Sequence, residues 1–170
     1  MNGDFVRVSD ELEVIRQYFS FVQMRYDNAI KLTINVQKSL YDFMILKFML
    51  QPIIENSIKH GYVEGQDMKI IVNGFIVDQT IRIDIFDNGR GMSASELKTV
   101  QNNSLTDSGT IPSKNIGLKN VYERIKFFYG QQYSLEIESS QDVGTMIKLT
   151  LPIMKAGEEI GIESNKDRYR

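Results

Sequence analysis

The chain has 170 residues, 42% hydrophobic and 25% charged, enough apolar material for one core of ordinary size. A net charge of −2 with no continuous stripe of Lys or Arg argues against nucleic-acid binding; zero cysteines exclude disulfides, thiolate metal sites and cysteine nucleophiles, and a single histidine, His60, excludes a multi-histidine metal cluster. Any metal is therefore expected to be a hard cation held by oxygen, and no membrane contact is expected, because the longest apolar stretches, 43–50 and 70–77, are broken by Lys47 and by Asn73-Gly74 and are too short to cross a bilayer.

In chain order, residues 1–9 read as a leading linker, with no apolar stretch of the signal-peptide kind after Met1. Leu12, Ile15, Phe19, Val22 and Met24 recur at roughly helical spacing behind Ser9, a suitable N-cap with Glu11 and Glu13 in an acidic first turn, so a helix is expected over about 10–26. Ile30, Leu32, Ile34 and Val36 alternate with polar residues as in a half-buried strand. A second amphipathic segment spans about 43–60, with Pro52 inside it and Gly61 as its stop. Two strand-like runs, 68–77 and 80–87, meet at Asp78-Gln79 and predict a hairpin. Ser93 followed by Glu96 has the capping-box pattern and predicts a short helix over 93–100, whereas 101–114 is polar and reads as a mobile loop. Leu118, Val121, Ile125 and Phe128 form a last helical stripe ending at Gly130; strands follow at 133–138 and 145–151 around a turn at 142–144, and 154–170 reads as a tail.

Helices on one face of a mixed sheet, a two-layer α/β sandwich of the α+β class, would bury these stripes over about 10–153. Strict βαβ alternation and a Gly-x-x-x-x-Gly-Lys-Ser/Thr phosphate loop are both absent from the sequence, which argues against a doubly wound dinucleotide fold or a P-loop.

Three segments carry chemistry. In Leu50-Gln51-Pro52-Ile53-Ile54-Glu55-Asn56-Ser57-Ile58-Lys59-His60-Gly61, helical spacing puts Asn56, Lys59 and His60 close to one face, offering a neutral oxygen and two potential cations to a metal-bound polyphosphate. The same residues also suit a plain solvated helix end. Asp87-Asn88-Gly89-Arg90-Gly91-Met92 follows directly from a strand: its glycines allow close backbone approach and its Asp can accept from an exocyclic amine, although Asn-Gly is equally a turn pair. Asn115-Ile116-Gly117-Leu118-Lys119-Asn120 leads into a helix whose free N–H groups favour an anion.

In this order and spacing the three segments resemble the N, G1 and G2 boxes of the GHKL ATPase and kinase superfamily. The wording of the first, with Gly117-Leu118-Lys119-Asn120-Val121-Tyr122-Glu123-Arg124-Ile125, resembles the sensor histidine kinases of the LytS and YesM type over roughly 8–153. That resemblance implies the Bergerat ATP-binding fold, with ATP and Mg²⁺ as cofactors. Asn56 becomes the magnesium ligand, Lys59 and His60 lie near the phosphates, and Glu55 is a polar neighbour of the metal. Asp87 bonds the adenine amino group, Gly89, Gly91 and Met92 shape the adenine pocket, and Gly117 and Leu118 sit beside the phosphates under a lid of about 93–116. It further implies a kinase that phosphorylates a histidine in an upstream dimerisation region, homodimeric in the full-length protein, and passes the phosphate to a response regulator. The setting is the cytoplasmic part of a membrane-anchored receptor. The other reading is a non-catalytic ATP-binding module that changes partner binding. Two departures stand out: Asn115 replaces a frequent Gly, and Pro52 occupies the place where the hydrolysing branches carry a water-activating Glu.

Overall fold

Residues 3–104 and 116–157 are described by the computed structural model. The elements are β1 (Phe5–Arg7), α1 (Val8–Arg25), β2 (Ile30–Val36), β3 (Met44–Leu46), α2 (Gln51–Gly61), β4 (Met68–Val77), β5 (Thr80–Asp87), α3 (Ala94–Ser104), α4 (Ile116–Tyr129), β6 (Ser134–Ser140) and β7 (Gly144–Pro152). Five strands form one mixed sheet in the order β2-β4-β5-β7-β6, parallel only between β2 and β4, and β1 pairs with β3 in a separate two-stranded ribbon.

Strand alternation decides which face is covered. Ile81, Ile83 and Ile85 of β5, Ile147, Leu149 and Leu151 of β7, Leu135 and Ile137 of β6, and Ile70 and Val72 of β4 all point to one side and are buried. Leu12, Ile15 and Phe19 of α1, Ile53, Ile54 and Ile58 of α2, and Val121 and Ile125 of α4 complete that core. The expected α/β sandwich with helices on one face is thus the observed fold. The hairpin turn at Asp78-Gln79 has both residues in the left-handed region, φ 47° and 59°, as a two-residue turn matched to strand twist requires.

Several boundaries differ from the expectation, each for a local reason. Within 1–9, Phe5–Arg7 is a strand and α1 already begins at Val8, which is fully buried; Ser9 therefore lies inside the helix and the N-cap, Arg7, makes no side-chain capping bond. Met24 is 72% exposed, because it lies about 200° around the helix from Val22 and off the buried stripe. The segment 43–60 is not one helix: Met44–Leu46 pairs with β1 and α2 starts at Gln51, with Pro52 in its first turn, where its missing N–H costs nothing. α3 continues to Ser104, beyond the expected helix, and its capping box is present: the Ser93 N–H donates to Glu96 Oε2 at 2.8 Å and the Glu96 N–H to Ser93 Oγ at 3.3 Å. Asn115 and most of the expected loop lie outside the described residues.

Candidate functional site

α2 carries the first motif, and its start is fixed from two sides. Glu11 of α1, buried, accepts the N–H groups of Phe48 at 2.9 Å and Leu50 at 3.0 Å. From α4, Arg124 donates to the Lys47 carbonyl at 2.9 Å and the Tyr129 hydroxyl accepts the Leu46 N–H at 2.9 Å. Burial pushes the Tyr129 phenol upward, so it stays a neutral hydroxyl. Phe48 accepts a left-handed backbone, φ 55°, in this clamped connection. The N–H groups of the connection leading into α2 thus find a carboxylate eleven residues into the chain, a partner no local pattern announces.

The far end of α2 meets the loop after β5 through two glycines. A Cβ on Gly89 would stand 2.5 Å from the Gly61 Cα and 2.6 Å from its carbonyl oxygen, so the two backbones touch where any side chain would separate them. The Arg90 N–H donates to the Gly61 carbonyl and the Arg90 Nε to the His60 carbonyl, both at 2.9 Å. Gly91 has φ +62° and its missing Cβ would overlap the Ser140 carbonyl.

Between α2, the β5–α3 loop, α3 and the sheet lies a cleft of about 410 Å³, within the usual size range of small-molecule sites. Its apolar walls are Met92, Val100, Leu118, Ile137 and Ile147, and its polar groups include Asn56, His60, Asp87, Arg90, Glu96 and Thr145. Asp87, only 2% exposed, ends β5 at the cleft floor. Burial pushes its carboxyl above the ordinary carboxylate range, and bonds from the Ser57 hydroxyl, the Gly89 N–H at 3.0 Å and the Thr145 backbone pull it back. Glu96 is held below its usual range, first by its bonds from Ser93 and then by Arg90.

Of the residues singled out in the sequence, Asn56, His60, Asp87, Gly91, Met92 and Leu118 line this one cleft. Gly89 lies against Gly61 at its edge, and Gly117 stands beside Asn56, whose Nδ2 would be 3.4 Å from a Cβ there. Glu55 and Lys59 lie on the exposed face of α2 and are not among the lining residues; Glu55 accepts from Gln51 Nε2 at 2.8 Å. Asn56 and His60 are one turn apart and share the cleft side, while Glu55 and Lys59, also one turn apart, form the neighbouring stripe. Ser57, Thr145 and Ile137 were missed by sequence reasoning. Thr145 and Ile137 sit in strands without a motif, and only the cross-strand register opposite Asp87 could have pointed to Thr145.

Residues 41–155 match the family of histidine kinase-, DNA gyrase B- and HSP90-like ATPases. The chain belongs to this family. It is 31% identical over 159 residues to the sensor protein kinase HptS of Staphylococcus aureus, covering 94% of this chain and 30% of that protein, so it spans about a third of the length of the curated relatives it matches. Among solved structures it is similar to the catalytic domain of histidine kinase ThkA (TM-score 0.64, 12% identity, 92% of this chain and all of that one). It is also similar to the mycobacterial sensor histidine kinase MprB (TM-score 0.59, 18% identity, 90% and 99%). These structural likenesses concern the fold. Family and fold together make this an ATPase-family domain, and the sensor protein kinases it resembles in sequence are the relatives from which a function is proposed below.

No group of three or more His, Asp or Glu side chains that could hold a metal exists among the described residues. Among the described residues, then, a metal would find few protein ligands and would draw on a bound nucleotide and water for the rest. Asn56, on the cleft side of α2, can offer its amide oxygen to such a metal, while its buried Nδ2, a donor only, has no hydrogen-bond partner among the described residues.

Proposed function

We propose that the domain binds Mg²⁺-ATP in this cleft and donates the γ-phosphate to a histidine of an upstream dimerisation region, as a sensor kinase of the LytS and YesM type acting on a response regulator. The observation that carries the reading is the single cleft that joins Asn56 on α2 to the buried Asp87 at the end of β5. Asp87 accepts the adenine amine and the apolar walls flank the base. Gly89 and Gly91 let the backbone pass close to it, and Met92 and Leu118 bound the pocket. Asn56 offers its amide oxygen to Mg²⁺, which when bound neutralises phosphate charge. Gly117, at the start of α4, leaves room beside Asn56 for phosphate oxygens at a helix N-terminus. His60 faces the same region, Lys59 supplies a cation from the adjoining stripe, and Glu55 is a polar neighbour of the metal.

Such a domain needs alignment and charge neutralisation more than a base, because the acceptor imidazole is already a nucleophile. Pro52 agrees with this: in the first turn of α2, one turn before Asn56, it supplies no general base for water. The setting we propose is the cytoplasmic part of a membrane-anchored receptor; among the described residues no helix is long and apolar enough to cross a membrane.

The test is to measure Mg-ATP binding by calorimetry, then to add the histidine-bearing segment in trans and assay acid-labile phosphate on it. Binding with very slow hydrolysis alone, and transfer once the acceptor is present, is expected. Robust ATP hydrolysis by the 170-residue chain would overturn the kinase assignment.

A further inference from the structure

Four residues in register form a row across the inner face of the sheet at the cleft: Ile70, Asp87, Thr145 and Ser139. Three are polar. Asp87 and Thr145 line the cleft, whereas Ser139 lies one strand further out on β6. Ser139 Oγ has three neighbours: the Met92 N–H at 3.0 Å, the Gly144 carbonyl at 2.8 Å and Thr145 Oγ1 at 2.9 Å.

The protons of this cluster can be assigned by elimination. A backbone N–H only donates, so Ser139 accepts from Met92. A carbonyl only accepts, so the proton between Ser139 and Gly144 must be that of Ser139. The short contact between the two hydroxyl oxygens also needs a proton, and with Ser139's own committed to Gly144 it must come from Thr145. The Thr145 hydroxyl therefore turns toward β6 and leaves only lone pairs toward the cleft.

From this geometry we infer that Ser139, which lies outside the lining of the cleft, is a positioning residue for base selection: it holds Thr145 as an acceptor beside the Asp87 carboxylate. The inference rests on the proposed binding of ATP in this cleft. Two adjacent acceptors favour a six-position amine, which carries two N–H groups, and oppose a carbonyl oxygen at the same place. Sequence inspection gives no hint of this, since Ser139 is a small polar residue near the end of an unremarkable strand.

The experiment compares ATP with inosine triphosphate, which places a carbonyl oxygen where ATP has its amine. Calorimetric affinities are measured for the parent, Ser139→Ala, Ser139→Thr, Thr145→Val and the double variant Ser139→Ala/Thr145→Val. The parent is expected to prefer ATP, and Ser139→Ala to narrow that preference by about tenfold, the scale of one mispaired hydrogen bond, as the freed Thr145 proton turns into the cleft. Ser139→Thr, which keeps a hydroxyl, should retain the parent ratio. On the Thr145→Val background, removing Ser139 should leave the ratio where Thr145→Val alone puts it. An unchanged ratio in Ser139→Ala, or the same narrowing with Thr145 already gone, overturns the inference, because Ser139 would then act only through the backbone of Met92 and Gly144. If Ser139→Ala fails to fold, Thr145→Val decides: a ratio equal to the parent's removes Thr145 from base selection and the inference with it. A parent that binds no ATP refutes the site itself, which is a different result from a parent that binds ATP with an unaltered preference in the variants.

Discussion

Replacing Asp87 by Asn tests whether this carboxylate reads the base, since volume is kept and only charge and donor pattern change. In the structure the carboxylate is 2% exposed and accepts from the Ser57 hydroxyl and from the Gly89 N–H at 3.0 Å. An Asn side chain has one acceptor oxygen. If it serves Ser57 and Gly89, its NH₂ faces the adenine amine; if it serves the amine, those donors lose their partner. Either arrangement leaves one buried hydrogen bond unmade, at about 1–3 kcal/mol, or about 5- to 150-fold in ATP affinity. The pH dependence has a definite sign. Protonation removes an acceptor, so parent ATP affinity should fall as pH drops through the Asp87 pKa, and burial places that fall above the ordinary carboxylate range. His60, Arg90 and Glu96 share the cleft and the triphosphate itself titrates, so the informative quantity is the difference between parent and Asp87→Asn, which should shrink toward acid pH. Stability without nucleotide runs the other way. A carboxyl whose folded pKa is raised contributes stability at low pH that is lost as pH rises through that pKa, so Asp87→Asn should raise apo stability at neutral pH relative to the parent. Calorimetry across pH together with urea unfolding of both proteins covers all three points. An Asp87→Asn variant that binds ATP like the parent at neutral pH, where the carboxylate should matter most, would refute the reasoning.

Three other outcomes are expected. Asn56→Ala should weaken ATP binding in the presence of Mg²⁺ and leave metal-free binding and the circular dichroism spectrum largely unchanged; equal Mg-ATP affinities would make Asn56 structural. Gly89→Ala should lower stability by about 2 kcal/mol or more, because its Cβ meets the Gly61 backbone rather than a flexible side chain, and urea unfolding equal to the parent's would show that the loop can retreat. Glu11→Ala should cost about 2–4 kcal/mol by leaving the Phe48 and Leu50 N–H groups without their carboxylate, with Glu11→Gln costing less; a loss under 0.5 kcal/mol for the Ala variant would show that water replaces Glu11 there.

Much of the fold was legible because its signals are local. The alternation in β4 and β5, the left-handed pair Asp78-Gln79 between them and the reciprocal Ser93–Glu96 cap are all properties of short windows. Asn56, His60, Asp87 and Gly91 were recoverable for the same reason: each lies in a segment whose composition already suggests a ligand. What the sequence hid depends on distant partners. Glu11 looks like an ordinary first-turn acid, yet it is buried and caps a segment more than thirty residues away. Met44–Leu46 looks like the start of a helix, and only its pairing with Phe5–Arg7 makes it a strand. Thr145 joins the cleft, and Ser139 stands behind it, through register alone, since pairing brings Asp87, Thr145 and Ser139 side by side across separations no window spans.

The glycines around Asp87 connect fold and site more tightly than either motif alone. A Cβ at Gly61 would lie 3.1 Å from Asp87 Oδ1, one at Gly144, φ +133°, would overlap the Asp87 carbonyl, and one at Gly89 would push the loop off α2. These positions belong to three different segments: Gly89 and Gly144 leave no room for a Cβ against neighbouring backbone, and Gly61 leaves only tight room beside the Met68 and Asp87 side chains. The enclosure strips water from Asp87 on every side except the cleft, and so raises its pKa and makes its remaining lone pairs the polar feature a ligand must satisfy. A carboxylate buried merely to stabilise the chain would be expected to carry a cation as partner; among the described residues the donors to this one are the neutral groups of Ser57, Gly89 and Thr145. Those donors offset part of the burial that raises its pKa, and they bring no charge of their own. On the proposed reading, an acceptor so placed favours a neutral ligand N–H over a second anion, which is why the base is assigned to Asp87 and the polyphosphate to the other end of α2's cleft face, toward Asn56 and the start of α4.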